Sequence, residues 1–262
     1  MDKQKLLEEV ELFVLDMDGT FYLGDRILDG SLAFLDRVKA TGRRFLFFTN
    51  NSSKSPQAYV QKLAALGCPI GLSDIMTSGD VTIQYLKSHY PDAKVYLVGT
   101  PVLEESFGQK GIRLVEEAPD VVVIGFDTTL TYHKLERACT FLRGGAVFLA
   151  THLDINCPTE DGFIPDCGSI CALISRSVDR QPKYLGKPFS ETVDMILKTT
   201  GAKRERTAFV GDRLYTDVAT GVRGGAKGLL VLSGETKLED VAGSEVQPDG
   251  IFASLGEMAG YL

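Results

Sequence analysis

Leu12-Phe13-Val14-Leu15-Asp16-Met17-Asp18-Gly19-Thr20 is the stretch from which the rest of the chain is best read. Four apolar residues without a polar interruption predict a strand buried on both faces, as in a parallel sheet covered by helices. The run ends in two aspartates one residue apart, so their side chains can share a face. Ligands of open α/β sheets bind at the carboxyl ends of strands, which puts Asp16 and Asp18 where chemistry is expected; Gly19 lets the backbone approach a ligand closely. A helix-capping aspartate accounts for one of the two carboxylates and less well for both.

Outward from this strand the same design recurs. The apolar run 44–49 opens into Thr49-Asn50-Asn51-Ser52-Ser53, whose hydroxyls, amides and backbone N–H groups make either a phosphate cradle or a capping loop for the next helix. The residues alone leave both readings open. Further buried strands are predicted at 95–98, 121–125, 147–150, 207–210 and 228–232. The clearest helix takes Ser55 as N-cap and Pro56 in its first turn, lines up Val60, Leu63 and Ala64, and stops at Gly67. Others begin near Ser31, Gly79, Thr131, Cys167, Ser190 and Thr216. This alternation predicts an α/β fold with a doubly wound, Rossmann-like parallel-sheet core.

At 262 residues the chain suits one large α/β unit or a core plus a second domain. Two proline breaks, Tyr90-Pro91-Asp92 and Arg180-Gln181-Pro182, each close a helical pattern. They are either the two strands of a hinge, bounding a domain of residues 91–182 inserted into a core of 1–90 and 183–262, or ordinary surface turns.

Composition narrows the function classes. Hydrophobic residues make up 44% and charged residues 24%, the mixture of a soluble globular protein. A net charge of -7 argues against a nucleic-acid partner, whereas a small anionic substrate needs only a local cluster of cations. The first apolar run is far shorter than the roughly 20 residues of a membrane span and follows Glu8, Glu9 and Glu11, so neither a signal peptide nor a membrane anchor is read. Five scattered cysteines, an odd number, fit reduced thiols and a cytoplasmic location better than a disulfide framework. Cys157, Cys167 and Cys171 lie near one another in sequence, but without a CxxC pair plain thiols are favoured over a zinc site.

Ala208-Phe209-Val210-Gly211-Asp212-Arg213-Leu214-Tyr215-Thr216-Asp217 again places carboxylates at a strand's end, and Lys187 stands between Gly186 and Pro188 rather than on a helix face. A lone lysine of this kind is usually solvated. If Asp16, Asp18, Asp212 and Asp217 converge at one sheet edge, however, their repulsion and desolvation demand cations. Magnesium, which prefers hard oxygen ligands, suits that demand, and Lys187 would add the remaining charge.

Taken in order, Asp16-Met17-Asp18-Gly19-Thr20, Thr49-Asn50-Asn51, Lys187, and Gly211-Asp212 with Asp217 resemble the four motifs of the haloacid dehalogenase superfamily of phosphatases. Thr49-Asn50-Asn51-Ser52, Leu185-Gly186-Lys187-Pro188 and Gly211-Asp212-Arg213-Leu214-Tyr215-Thr216-Asp217 look like its NagD-like, 4-nitrophenylphosphatase branch. The resemblance spans nearly the whole chain and implies a magnesium-dependent phosphatase acting on a small phosphorylated metabolite. Asp16 would be the nucleophile and Asp18 the general acid and base. Magnesium would be held by the Asp16 carboxylate, the Asp18 backbone carbonyl and Asp212, with Asp217 in support. Thr49, the Asn50 backbone and Asn51 would form the phosphate-binding loop, and Lys187 would orient the nucleophile.

That branch carries a large α/β cap between its second and third motifs, which favours the inserted-domain reading of residues 91–182. Thr151-His152-Leu153-Asp154 and Asp166-Cys167-Gly168-Ser169 resemble cap loops that meet a leaving group, making His152 and Asp154 candidate substrate contacts; the other reading is a solvated loop. His89 and His133 read as surface residues. A homodimer through the cap is implied by the resemblance alone. Rival functions are a phosphotransferase or phosphomutase on the same core, and a non-catalytic metabolite sensor. Sugar phosphates, nucleoside monophosphates, phosphoglycolate and pyridoxal phosphate are all substrates compatible with the family.

Overall fold

A computed structural model of the chain describes residues 2–159 and 162–262. The seven expected strands are present as Leu12–Leu15, Arg44–Thr49, Lys94–Val98, Val121–Ile124, Val147–Ala150, Thr207–Gly211 and Lys227–Val231. Helices follow the expected starts: Ser31–Ala40, Pro56–Ala65, Ser78–His89, Tyr132–Arg143, Cys167–Val178 and Ser190–Thr200. Side-chain caps explain several of these starts. Thr77 Oγ1 accepts from Asp80 N, Thr131 Oγ1 from Lys134 N, and the Asp166 carboxylate from Cys167 N. Near Thr216 the helix opens as a wide-turn segment, Leu214–Val218, before continuing as Ala219–Arg223.

The chain divides into two compact units, Met1–Thr49 with Gln57–Met76 and Lys187–Leu262, and Asn50–Pro56 with Thr77–Gly186. The expected boundaries at residues 90/91 and 182/183 fall within the second of these units. Pro91 and Pro182 lie inside the second unit, in the connections that follow the helices Ser78–His89 and Cys167–Val178. The helix Ser78–His89 belongs to that unit because its first turn is built into it. A Cβ at Gly79 would stand 2.9 Å from a Leu103 methyl, and the Ser78 hydroxyl donates to the Asn50 carbonyl.

In the first unit six strands form one sheet, ordered Gly250–Phe252, Lys227–Val231, Thr207–Gly211, Leu12–Leu15, Arg44–Thr49, Ile75–Thr77. The first four junctions of this order are parallel. Leu12–Leu15 is central and fully buried, which is why it could be written without polar residues. Phe13 meets Phe34 edge-on at 5.3 Å and Phe21 meets Phe47 at 4.8 Å, fixing helix Ser31–Ala40 and the turn after the strand against the sheet. Phe13→Ala should therefore cost about 3–5 kcal/mol of stability, read as a shift in the urea midpoint at constant slope.

In the second unit a five-stranded parallel sheet runs Lys183–Tyr184, Val147–Ala150, Val121–Ile124, Lys94–Val98, Arg113–Leu114. Val122, Ile124 and Phe148 pack under helices Tyr132–Arg143 and Cys167–Val178 through Leu142, Ile170 and Ile174. An antiparallel hairpin, Asn156–Thr159 with Gly162–Pro165, precedes the second of these helices. All five cysteines are free thiols, and no helix among the described residues is long and apolar enough to cross a membrane.

Candidate active site

The strand order of the first unit reverses beside Leu12–Leu15, whose neighbours come from opposite ends of the chain: Leu15 is in register with Val210 on one side and Phe47 on the other. Such a switch point leaves a crevice at the carboxyl ends of the strands. Asp16 is the next residue after Leu15, with its N–H donated to Val210 O at 2.9 Å, and Asp212 is the next residue after Gly211. Parallel pairing alone thus carries both carboxylates to one rim. Asp217 arrives from the wide helical turn Leu214–Val218, and oxygens of Asp16, Asp212 and Asp217 lie within 4.8 Å of one another.

Lys187 Nζ stands between two of them, 2.5 Å from Asp16 Oδ1 and 2.5 Å from Asp217 Oδ1, and is buried. Asp212 is held separately: its Oδ1 accepts from Thr20 Oγ1 at 3.2 Å and its Oδ2 from Glu235 N at 2.7 Å. Three glycines make room for the group. A Cβ at Gly19, where φ is +79°, would lie 2.6 Å from Asp212 Oδ2; one at Gly234 would lie 2.1 Å from the same oxygen; one at Gly211 would lie 2.2 Å from Asp217 Cβ. Gly19 is needed both for its left-handed backbone and for this approach.

Electrostatically the trio is short of positive charge. Burial pushes the Asp16 carboxyl up to about 8, and Asp217 and Asp212 add to this against the pull of Lys187. Asp212 is raised by burial and then by Asp217. Burial disfavours the Lys187 ammonium, yet Asp16 and Asp217 outweigh it and hold its pKa above the ordinary value. With all three carboxylates ionised, one ammonium leaves two negative charges over, and Arg213, whose charge these carboxylates also favour, is shared with Glu235 at 2.9 Å. A hard-oxygen donor set with that residual charge fits a magnesium ion.

Asp18 follows a different course. Its side chain is exposed and accepts from the Tyr22 hydroxyl at 3.3 Å, and it is not one of the clustered carboxylates. Burial, and then the charge of Asp18, keep the Tyr22 phenol protonated. Thr49 ends the strand Arg44–Thr49, the neighbour of Leu12–Leu15 in the sheet.

The remaining candidates gather in the second unit. The Asn50 amide donates to both oxygens of Asp154, at 3.3 and 3.1 Å. Asn51 Oδ1 accepts from the N–H and hydroxyl of Ser53, at 2.9 and 2.7 Å, so this side chain shapes its own loop. His152 is not the solvated loop residue of the alternative reading. Its ring is fully buried, with Nε2 2.8 Å from Asp166 Oδ1 and Nδ1 2.9 Å from Thr151 Oγ1. His152, Asp154 and Asp166 form the only other close group of metal-ligating type among the described residues, and none of Cys157, Cys167 and Cys171 belongs to either group. His89 and His133 are exposed, as expected. Thr20, Tyr22, Gly234 and Glu235 were not foreseen in the first site. Only the placement of Gly234 and Glu235 just beyond a strand that parallels Thr207–Gly211 could have pointed to them.

Comparison with known proteins supplies the family context. Residues 13–113 match the model of haloacid dehalogenase-like hydrolases and residues 184–258 match a second, HAD-hydrolase-like model. The chain is 32% identical over 250 residues to the 5'-nucleotidase YutF of Bacillus subtilis (strain 168), covering 95% of this chain and 98% of that one. It is 33% identical over 257 residues to an acid sugar phosphatase of Staphylococcus aureus (strain MRSA252), covering 98% and 99%. Among solved structures, a 4-nitrophenylphosphatase from Thermotoga maritima superposes with a TM-score of 0.93 at 48% identity, covering 97% of this chain and 98% of the other.

Proposed function

Since the chain belongs to the haloacid dehalogenase-like hydrolases and is a phosphoric monoester hydrolase, we propose that it cleaves small phosphomonoesters through an aspartyl-phosphate on Asp16. The observation that carries this reading is the close group of Asp16, Asp212 and Asp217 around the buried Lys187, at the carboxyl ends of two adjacent parallel strands.

Asp16 is suited to attack because one of its oxygens is fixed by Lys187 Nζ at 2.5 Å, which leaves the other to approach phosphorus. As the Asp16 oxygen bonds to phosphorus, the ester P–O bond breaks and Asp18 gives a proton to the departing alkoxide. Asp18 then takes a proton from the water that attacks the phosphoryl group, the bond to Asp16 breaks, and inorganic phosphate leaves. An exposed carboxylate tied to a phenol is free of the cation-starved cluster and suits proton transfer better than metal binding. Thr49 and the Asn50 backbone would hold the phosphoryl oxygens. Magnesium held by the Asp16 carboxylate, the Asp18 backbone carbonyl and Asp212, with Asp217 supporting, would neutralise charge on the transferred group.

The names of the relatives share phosphomonoester cleavage and differ in leaving group. We assign the choice of leaving group to the second unit, as its cap role. With magnesium, a panel of sugar phosphates, nucleoside monophosphates and 4-nitrophenyl phosphate should give phosphate and alcohol in equal amounts, even when sugar acceptors are added. Alcohol in excess over phosphate, with phosphorylated acceptor making up the difference, would instead indicate a phosphotransferase.

A further inference from the structure

The mechanism above makes no use of His152, although it is a fully buried titratable group on which an unusual number of contacts converge. The loop Asn50–Ser53 is held within the second unit by two hydroxyls. Ser78 Oγ donates to the Asn50 carbonyl, and Thr151 Oγ1 lies 3.0 Å from Ser52 Oγ, which also accepts from Phe126 N at 2.9 Å. Both hydroxyls face the same atom: His152 Nδ1 is 2.9 Å from Thr151 Oγ1 and 3.4 Å from Ser78 Oγ.

The directions of these bonds constrain the ring. Ser78 gives its proton to Asn50 O, so toward His152 its oxygen can only accept. Thr151 has Cys167 Sγ at 3.7 Å as an acceptor for its own proton. With the Thr151 proton turned to that sulfur, an Nδ1–H would serve both hydroxyls. On the other side Nε2 faces Asp166 Oδ1, an oxygen that also takes the Cys167 N–H at the start of helix Cys167–Val178, so Nε2 carries a proton as well. Two donor nitrogens make an imidazolium. Its ionisation agrees: burial opposes the charge, but Cys167, Asp166 and Asp154 outweigh it and raise the group to about 9. Around it the packing is close, since a Cβ at Gly186 would lie 2.5 Å from Asn50 Oδ1 and 2.8 Å from His152 Cβ.

We propose that His152, fixed by Asp166, is a positioning residue that sets the Asn50–Ser53 loop through the hydroxyls of Ser78 and Thr151, so that loop geometry for phosphate depends on a buried imidazolium. The proposal rests on the phosphatase reading, in which the Asn50 backbone holds phosphoryl oxygens.

Two measurements test it. In ¹⁵N-histidine-labelled wild-type protein, with three histidines to assign, His152 should show both ring nitrogens protonated at neutral pH. Thr151→Val, which removes a hydroxyl at nearly constant size, and His152→Gln should each raise KM and the inhibition constant of inorganic phosphate together by about tenfold, the scale of one or two hydrogen bonds. Thr151→Ser should keep wild-type values for both. One unprotonated nitrogen on His152 would overturn the proposal. So would a Thr151→Val protein whose phosphate inhibition is unchanged while its melting temperature falls, since that is what a purely structural contact predicts. Failure of the phosphatase reading would show separately, as wild-type protein that does not hydrolyse phosphomonoesters, and the ¹⁵N spectrum does not depend on it.

Discussion

Asp16→Asn should lower kcat by about 10³-fold or more while leaving the protein folded. The amide matches the carboxylate in shape but is too weak a nucleophile to form the acyl phosphate. Stability should hold or rise, because the substitution removes one of three crowded carboxylates and leaves Lys187 its contact with Asp217. Phosphate release under saturating substrate and a thermal melt on the same sample check both halves. An Asp16→Asn protein with a few-fold loss would place the nucleophile elsewhere.

Chelation is the second large effect. Stripping divalent cations should reduce turnover by about 100-fold or more, and added magnesium should restore it, because the carboxylate trio has one ammonium for three negative groups. A readout independent of activity is available. A cation that binds only the folded state should stabilise it by about 2.7 kcal/mol at a hundred times its Kd, visible as a magnesium-dependent rise in melting temperature. Asp212→Asn should weaken that dependence by about tenfold or more, and the same rise in wild type and variant would remove Asp212 from the ion's ligands. Activity indifferent to chelator would reject the metal assignment as a whole.

What could be read from sequence followed the length of the apolar runs. Strands such as Leu12–Leu15 and Val121–Ile124 are buried along their whole length and so carry no polar residue. Ile75–Thr77, Arg113–Leu114, Lys183–Tyr184 and Gly250–Phe252 span two or three residues, too few for any period to register. Asp16 and Asp212 were legible because a strand's end and a carboxylate coincide in sequence, and parallel pairing does the rest. The division into units was not legible. Pro91 and Pro182 record local connections, whereas the boundary is set by partners such as Asn50 with Ser78 and Ser52 with Thr151, small polar residues far apart in the chain. The same distance hid the state of His152. Beside Asp154 in a polar stretch it reads as a loop residue, and only its contacts with Ser78, Thr151 and Asp166 reveal a buried, doubly hydrogen-bonded ring.

The most direct test of the account is to find where the phosphoryl group goes. Wild-type enzyme quenched in acid during turnover of a ³²P-labelled phosphomonoester, then digested and mapped, should carry its label on the peptide containing Asp16, and Asp16→Asn should carry none. Label on a different residue, or label retained in full when Asp16 is replaced, would contradict it.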